Sequence, residues 1–272
     1  MPTLSIAVIG SGNMGGAMLR GWARAVKDGR ADLALTATAK TAKTLERLQN
    51  DWPAITTTLS NTEAVAKADI VVLAVKPWFV ADVIREIAPV LEACQQKPVV
   101  ISVVANLDNA GLRELIGDDV HAVYAMPNIA AAYGASMTFV EEAAADDNLS
   151  VAATTKATEL LGFLGDVRVV PSRLMAPGMM MAGCGIAYVM RYVRAMMEGG
   201  VEMGFYPADA RDIALQTMQG AVSLLRETGL HPEAAIDKVT TPGGITIKGL
   251  NELDHAGFNS AVIRSLKAGL PK

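Results

Sequence analysis

The chain has 272 residues, 51% of them hydrophobic and 19% charged, and a formal net charge of −4. This length suits two domains, and the composition is that of a globular protein with a substantial core rather than a disordered one. The negative charge argues against a nucleic-acid surface. Two cysteines, Cys94 and Cys184, are too few for a disulfide framework and fit a reducing compartment. With no cleavable leader pattern before the first apolar run, we expect a cytoplasmic protein.

The first predicted element is a buried strand, Leu4 to Ile9, followed by Gly10, Gly12 and Gly15 at the spacing of a dinucleotide-binding turn. The first glycine permits a tight turn, the second lets backbone approach a pyrophosphate, and the third lets the next helix pack on the strand. A helical pattern follows, and its positive N-terminal end would face the phosphates. An ordinary strand-to-helix turn is the alternative interpretation.

The second predicted strand, Leu33 to Thr38, favours NADP over NAD as the cofactor. An NAD site would place an acid about 20 residues beyond the glycines to hold the ribose 2′-hydroxyl. The stretch from Thr36 to Lys43 has none, and the first acid is Glu46. Hydroxyls and the two ammonium groups of Lys40 and Lys43 would instead accept a 2′-phosphate. The alternative is that these lysines only form a solvated helix start.

The next elements complete a sheet of mixed direction. Helices are predicted over 41–50 and 147–164, and strands over 54–58, 69–77, 98–105, 119–128, 136–140 and 167–170. A helix-capping pattern is predicted at Asn61-Thr62-Glu63. Ligands bind beyond the carboxyl ends of parallel strands, so Ala74 to Pro77 should border the cofactor. Lys76 either approaches the cofactor or closes its strand.

From Pro171 onwards only helical patterns are found, and these predict helices over 179–204, 207–228, 232–238 and 247–272. The stretch from Leu174 to Met190 has 17 residues without a charge, but Pro177 and three glycines make it a buried helix rather than a membrane span. A helix that is apolar on all sides must be buried on all sides. We therefore expect a homodimer with intertwined helices. The predicted fold is a Rossmann-type α/β nucleotide-binding domain over 1–170 followed by an all-α dimerisation domain over 171–272.

Five segments together resemble the pyrroline-5-carboxylate reductases, and they span the chain from residue 4 to its C-terminus. They are Gly10-Ser-Gly-Asn-Met-Gly15, Ala74-Val-Lys-Pro77, Met126-Pro-Asn128, Gly183-Cys-Gly-Ile-Ala-Tyr188 and Val239-Thr-Thr-Pro-Gly-Gly-Ile-Thr-Ile-Lys-Gly-Leu250. The resemblance implies reduction of (S)-1-pyrroline-5-carboxylate to L-proline with NAD(P)H, in proline biosynthesis. It also implies a homodimer, often assembled further, with an active site between one subunit's nucleotide domain and the partner's helical domain.

Some positions depart from the family pattern. Tyr124 stands where the family usually has arginine, and Ala182, Cys184 and Ile186 replace two serines and a proline. The residues after Met126-Pro-Asn128 are Ile129 and three alanines instead of a proline-rich stretch. Two alternatives therefore stay open: reduction of a related cyclic imine carboxylate, and a non-catalytic NADP-binding regulator.

The loop Thr240 to Thr246 is the predicted substrate site. Hydride transfer to a protonated C=N bond mainly requires positioning, exclusion of water and a hold on the carboxylate. A Pro-Gly-Gly turn exposes backbone N–H groups, and the helix that follows adds its dipole, although a plain capping loop would look the same. The resemblance implies that Thr246 is catalytic and hydrogen-bonds the ring nitrogen or assists its proton, and that Thr241, Gly244 and Ile245 bind the carboxylate.

No other chemistry is predicted. The three histidines have no partner at useful spacing and are expected to be structural or solvated; they are His121, His231 and His255. No metal, nucleic acid or membrane is expected. The residues expected to contact NADPH, or NAD as the alternative cofactor, are Gly10, Gly12, Asn13, Met14, Gly15, Thr38, Lys40, Asn61, Ala74, Val75, Lys76, Pro77, Met126 and Asn128.

Overall fold

The computed structural model describes residues 3–117, 120–145 and 147–270, and it divides into two compact units, Met1–Gly183 and Cys184–Lys272. The first unit contains β1 (Leu4–Ile9), α1 (Asn13–Lys27), β2 (Leu33–Thr38), α2 (Ala42–Asp51), β3 (Thr56–Thr58), α3 (Asn61–Val65), β4 (Ile70–Leu73), α4 (Val80–Ala93), β5 (Val99–Ser102), α5 (Asn109–Ile116), β6 (His121–Met126), β7 (Ser136–Glu141), α6 (Asn148–Gly162), β8 (Gly165–Val170) and α7 (Met175–Gly178). Short 3₁₀ turns occupy Pro77–Phe79, Ile129–Tyr133 and Ser172–Leu174.

The first unit is built on one eight-stranded sheet in the order β3-β2-β1-β4-β5-β6-β7-β8. The first six strands of this order are parallel, β7 is antiparallel to β6, and β8 is parallel to β7. The predicted mixed direction is therefore confirmed. The chain leaves β1 toward β2 on one side and returns to β4 on the other, which is the switch point where α/β sheets of this kind bind nucleotides.

Helices cover both faces of the sheet, and this explains why its central strands are apolar throughout. Every residue of β4 and of β5 is buried, as expected for parallel strands with both faces covered. One core packs beneath α1, α2 and α6, and the other beneath α3, α4 and α5. Trp22 of α1 is fully buried, and its indole N–H donates to the backbone carbonyl of Leu160 at 3.0 Å.

The described part of the second unit is helical. It contains α8 (Gly185–Glu202), α9 (Pro207–Thr228), α10 (Pro232–Lys238), α11 (Ile245–His255) and α12 (Phe258–Ala268). Its buried residues are small: Gly185, Gly200, Ala210, Ala214 and Ala235. A Cβ atom at Gly200 would lie 3.0 Å from that of Ala210, so α8 and α9 pack closely at this point. The larger apolar side chains of this unit are half-buried or exposed. Over the part of the chain that the structure describes, no helix has the length and apolar character needed to cross a membrane.

Several predicted boundaries need correction. Helices α4 and α5 were not predicted. The capping residue of α3 is Ser60, whose hydroxyl accepts from the Glu63 amide at 3.1 Å, rather than Asn61. The predicted helix over 179–204 begins with a π-helical stretch, Met179–Cys184. The predicted C-terminal helix is two helices, because Gly257 adopts a left-handed conformation with φ 74°. Asp119 and residues 271–272, which fall in predicted elements, lie outside the described residues.

By their contacts within the chain, residues 171–183 belong to the first unit. The sequence pattern instead changes from strands to helices at residue 171. The domain boundary at 170/171 stays a prediction.

Candidate functional site

The glycine turn lies at the carboxyl end of β1, against the residues that follow β4. Gly10 has φ +99°, and a Cβ atom there would lie 2.9 Å from the Ala74 carbonyl oxygen and from Val75 Cγ1. A Cβ atom on Gly15 would lie 2.1 Å from the Gly10 carbonyl oxygen. Two of the three glycines are therefore required by the packing of the protein itself.

Gly12 differs from the other two glycines. A Cβ atom at this position would meet no protein atom within 4 Å. Gly12 is the N-cap of α1 and supplies no side-chain cap, so Asn13 and Met14 begin the helix with backbone N–H groups that have no partner within it. Open space beside a helix N-terminus is what a pyrophosphate requires. The turn therefore fits a dinucleotide.

Thr38 supports the glycine turn from the end of β2. Its side chain is 1% exposed, and its hydroxyl accepts from the Gly10 amide at 3.4 Å and donates to Asn61 Oδ1 at 2.7 Å. Asn61 Nδ2 in turn donates to the Glu86 carboxylate at 2.8 Å. Thr38 and Asn61, both predicted as cofactor contacts, thus hold the turn in place. Glu86 was not predicted, and its separation from Asn61 by 25 residues leaves no local pattern that could have indicated it.

The predicted cations lie on the connections that follow β2 and β4. Lys40 is exposed, and its Nζ lies 5.0 Å from the centroid of the Phe79 ring. Lys76 and Pro77 are exposed, while Ala74 and Val75 are half-buried beside Gly10. Of the residues predicted to contact the cofactor, the structure therefore places four close to one another: Gly10, Gly15, Ala74 and Val75.

Asn128 is bonded by both atoms of its amide. It is 6% exposed, its Oδ1 accepts from the Ala130 amide at 3.0 Å, and its Nδ2 donates to the Ala182 carbonyl at 3.4 Å. Met126, which ends β6, is half-buried. Asn128 caps the 3₁₀ turn that follows it, and the cofactor contacts expected of both residues stay predictions.

Tyr124, at the position where the family pattern has arginine, is part of the scaffold. It is 6% exposed, its hydroxyl accepts from the Asn106 amide at 3.3 Å, and its own amide donates to Asn109 Oδ1 at 2.6 Å. Burial raises the pKa of the Tyr124 phenol, and the carboxylates of Glu141 and Asp108 raise it further, while the Asn106 hydrogen bond opposes them. A neutral phenol therefore holds the loop after β5, in which Asn106 has φ 62°.

The predicted substrate loop lies in the second unit, between α10 and α11. Gly243 has φ 72°, a conformation that glycine adopts without strain. The Gly244 amide donates to the Thr241 carbonyl at 2.9 Å, and a Cβ atom at Gly244 would lie 2.6 Å from Thr241 Oγ1. The Gly244 amide, predicted to bind a carboxylate, thus closes the turn. The amides that open α11 are those of Ile245 and Thr246, and both residues are exposed.

The histidines occupy ordinary structural positions. His121 begins β6 and is half-buried. His231 caps α10, with Nδ1 accepting from the Glu233 amide at 3.3 Å, and His255 Nδ1 lies 3.5 Å from Glu252 Oε1. Among the described residues, no group of three or more His, Cys, Asp or Glu side chains could hold a metal ion.

The sheet order and the glycine turn at its switch point define a Rossmann-type dinucleotide-binding protein. Two family models match the chain. One, described as NADP oxidoreductase coenzyme F420-dependent, matches residues 5–106, and the other, described as pyrroline-5-carboxylate reductase dimerisation, matches residues 172–272.

Similar proteins are pyrroline-5-carboxylate reductases. Pyrroline-5-carboxylate reductase 1 of Dictyostelium discoideum is 35% identical over 96% of this chain, which spans 48% of that protein's length. Pyrroline-5-carboxylate reductase 2 of the same organism is 32% identical over 96% of this chain and 89% of its own. The crystal structure of Plasmodium falciparum pyrroline carboxylate reductase with NADP bound has a similar fold, with a TM-score of 0.83, 24% identity, and coverage of 99% of this chain and 96% of that one.

The chain belongs to the pyrroline-5-carboxylate reductase family. The resemblance seen in the five sequence segments is therefore confirmed. The fold class, an α/β nucleotide-binding unit followed by a helical dimerisation domain, and the prediction of an oxidoreductase are confirmed with it. The roles of the individual site residues stay predictions.

Proposed function

We propose that this protein reduces (S)-1-pyrroline-5-carboxylate to L-proline and thereby serves proline biosynthesis. The observation that carries the proposal is the open first turn of α11, where the Thr241–Gly244 turn leaves the Ile245 and Thr246 amides at an exposed helix N-terminus. This arrangement suits a carboxylate. Relatives named pyrroline-5-carboxylate reductase, similar over nearly the whole chain, support the assignment of that carboxylate to the substrate.

The chain's residues have three tasks in this reaction. The Thr241 hydroxyl and the Ile245 amide hold the substrate carboxylate, and the Thr246 hydroxyl contacts the ring nitrogen. Because a protonated imine is already electrophilic, positioning and exclusion of water carry most of the catalysis. The reduced nicotinamide, when bound, supplies the hydride that the imine carbon accepts. The Gly10–Gly15 turn and Ala74 to Pro77, which follow β4, would hold that cofactor.

We propose NADPH as the preferred reductant, with NADH as the weaker one. The connection after β2 carries Lys40 and Thr41, Lys43 lies in the first turn of α2, and no acid stands between β2 and Glu46. A 2′-phosphate would meet cations and hydroxyls there, whereas a carboxylate would repel it. The NADP bound to the Plasmodium falciparum relative supports this choice. The protein would act in the cytoplasm as a homodimer or an assembly of dimers.

The test is oxidation of NADPH and NADH by the purified protein with pyrroline-5-carboxylate, followed by the absorbance of the reduced nicotinamide. We expect Thr246→Ala to lower kcat/KM by about 10- to 100-fold, the effect of one lost hydrogen bond in the active site. Thr246→Ser keeps the hydroxyl and is the matched control. Unchanged kinetics in Thr246→Ala would remove this residue from the mechanism.

A second candidate is the reduction of a related cyclic imine carboxylate. Tyr124 favours it, because a buried neutral phenol replaces the cation that the family pattern places there. A panel of five- and six-membered cyclic imines separates the two candidates by kcat/KM. Cofactor binding without turnover of any imine would instead identify a regulator that has lost the chemistry.

A further inference from the structure

A cation and an aromatic ring meet across the switch point of the sheet. Lys40 follows β2, and Phe79 ends the 3₁₀ turn that follows β4, so the two side chains come from opposite sides of the crevice in which a dinucleotide would lie. Lys40 Nζ is 5.0 Å from the centroid of the Phe79 ring. This distance is within the range of a cation–π interaction.

Two hydroxyls near the end of β2 already have hydrogen-bond partners. The Thr38 hydroxyl is buried between the Gly10 amide and Asn61 Oδ1, so it has no proton left to donate to a phosphate. The Thr41 hydroxyl shares a hydrogen bond of 3.0 Å with the Thr44 hydroxyl. The exposed ammonium of Lys40 lies against the Phe79 ring, whereas Lys43 is exposed in the first turn of α2.

A lysine ammonium on a flexible four-carbon stem normally loses conformational freedom when it binds a phosphate. Contact with a ring face removes part of that freedom before the ligand arrives, and a preorganised group binds more tightly. We propose that Phe79 is a positioning residue for cofactor choice: its ring holds the Lys40 ammonium where a ribose 2′-phosphate meets it. This inference rests on the proposed preference for NADP and adds the residue that sets its strength.

Phe79 acts on the 2′-phosphate only through Lys40, and NAD has no 2′-phosphate. Removing the ring should therefore weaken binding of NADP⁺ and leave binding of NAD⁺ unchanged. Once Lys40 has been replaced, removing the ring should change neither.

The experiment is isothermal titration calorimetry of NADP⁺ and NAD⁺ against the whole protein, without imine, so that turnover plays no part. The variants are Phe79→Leu, Lys40→Met and the double variant. The controls are Phe79→Tyr, which keeps the ring, and Trp78→Leu, which removes the neighbouring ring. The centroid of the Trp78 ring lies 6.1 Å from that of Phe79. We expect Phe79→Leu to raise the Kd for NADP⁺ about two- to fivefold, the scale of an exposed cation–π contact. Both controls should bind as the wild type does.

Two outcomes would overturn the role of Phe79. In the first, Phe79→Leu weakens NADP⁺ and NAD⁺ equally, which would make the ring a general part of the nucleotide site. In the second, the effect of Phe79→Leu persists in the Lys40→Met background. Failure of the proposed cofactor preference looks different, because the wild type would then bind NADP⁺ no more tightly than NAD⁺. If Phe79→Leu does not fold, Phe79→Ile provides the same removal of the ring with a different aliphatic side chain.

Discussion

The two units of this chain bury their apolar side chains in different ways. In the first unit, large residues such as Trp22, Leu19 and Ile87 are fully buried in two cores, one on each face of the sheet. In the second unit, the buried residues among those described are two glycines and three alanines. The 22-residue helix α9 buries only Ala210 and Ala214.

This difference indicates how each unit is stabilised. The sheet with its helices completes a core within one chain, so its stability is intramolecular. The helical unit leaves apolar side chains such as Ile213 and Leu215 about half exposed, at 47% and 50%. Exposed apolar side chains of this kind are typical of an interaction site. The match of this unit to a dimerisation family supports a homo-oligomer as the solution.

The largest expected effect is in the first unit. Trp22→Ala should lower the free energy of unfolding by about 3–5 kcal/mol, because it empties a buried site and removes the indole N–H that donates to the Leu160 carbonyl. Denaturant unfolding followed by circular dichroism measures the loss. Trp78→Ala, at a side chain that is 70% exposed, is the control and should be nearly neutral. A loss in Trp22→Ala that varied with protein concentration would contradict an intramolecular core.

In the helical unit, a substitution on the exposed apolar surface should weaken the association of subunits. Ile213→Glu places a charge on its exposed apolar surface and should raise the dimer dissociation constant at least about tenfold, which corresponds to about 1.4 kcal/mol. Analytical ultracentrifugation over a concentration series gives this constant. Gln216→Glu adds the same charge at a polar position of α9 and is the comparison. An unchanged dissociation constant in Ile213→Glu would remove this part of α9 from the interface.

Within the first unit, substitutions at two glycines of the same turn should affect stability and cofactor binding separately. Gly15→Ala forces a Cβ atom toward the Gly10 carbonyl and should lower the free energy of unfolding by about 1–3 kcal/mol. Gly12→Ala has open space and should leave stability unchanged, while the Kd for NADP⁺ rises about tenfold, since the methyl group occupies ligand space. Thermal unfolding and calorimetric titration of both variants test this. Equal affinity of Gly12→Ala and the wild type would contradict the role of that space.

The smallest expected effect is on the stability of the first unit at acidic pH. Asp147 accepts from the hydroxyl and the amide of Ser150 and pairs with Arg113, and these contacts lower its pKa to about 2. A carboxylate with a lowered pKa stabilises the fold above its unfolded pKa, near 3.8, and loses this contribution as the pH falls toward 2. Asp147→Asn keeps a capping side chain without the charge. Its stability, measured from pH 5 to pH 2, should fall less steeply than that of the wild type, whereas Glu46→Gln should follow the wild type.

Much of the architecture could be predicted because it follows from local patterns. Buried parallel strands are short apolar runs, so β1, β4 and β5 were recognisable. Helices α9 and α10 begin at Pro207 and Pro232, prolines that favour a first helical position. Helix α4 contains Pro89 in its interior, where proline normally indicates a break, and it was not predicted.

The site was less predictable, because its contacts join distant parts of the chain. The glycine spacing indicated which backbone positions a ligand approaches. It could not indicate that the Thr38 hydroxyl is committed to Gly10 and Asn61, or that Lys40 lies against Phe79. Thr38 and Lys40 are similar candidates in sequence, two residues apart. Only the fold distinguishes the buried support from the exposed cation.

The hydrogen bonds around Thr38 have a direction. The Gly10 amide donates to Thr38, Thr38 donates to Asn61, and Asn61 donates to Glu86. Every proton in this series points away from the glycine turn and toward a carboxylate on α4. The negative charge of Glu86 thus determines which end of the Asn61 amide faces inward, and through it which way the buried Thr38 proton points. A carboxylate on the surface of the protein thus sets the orientation of a buried hydroxyl that supports the nucleotide-binding turn, two hydrogen bonds away.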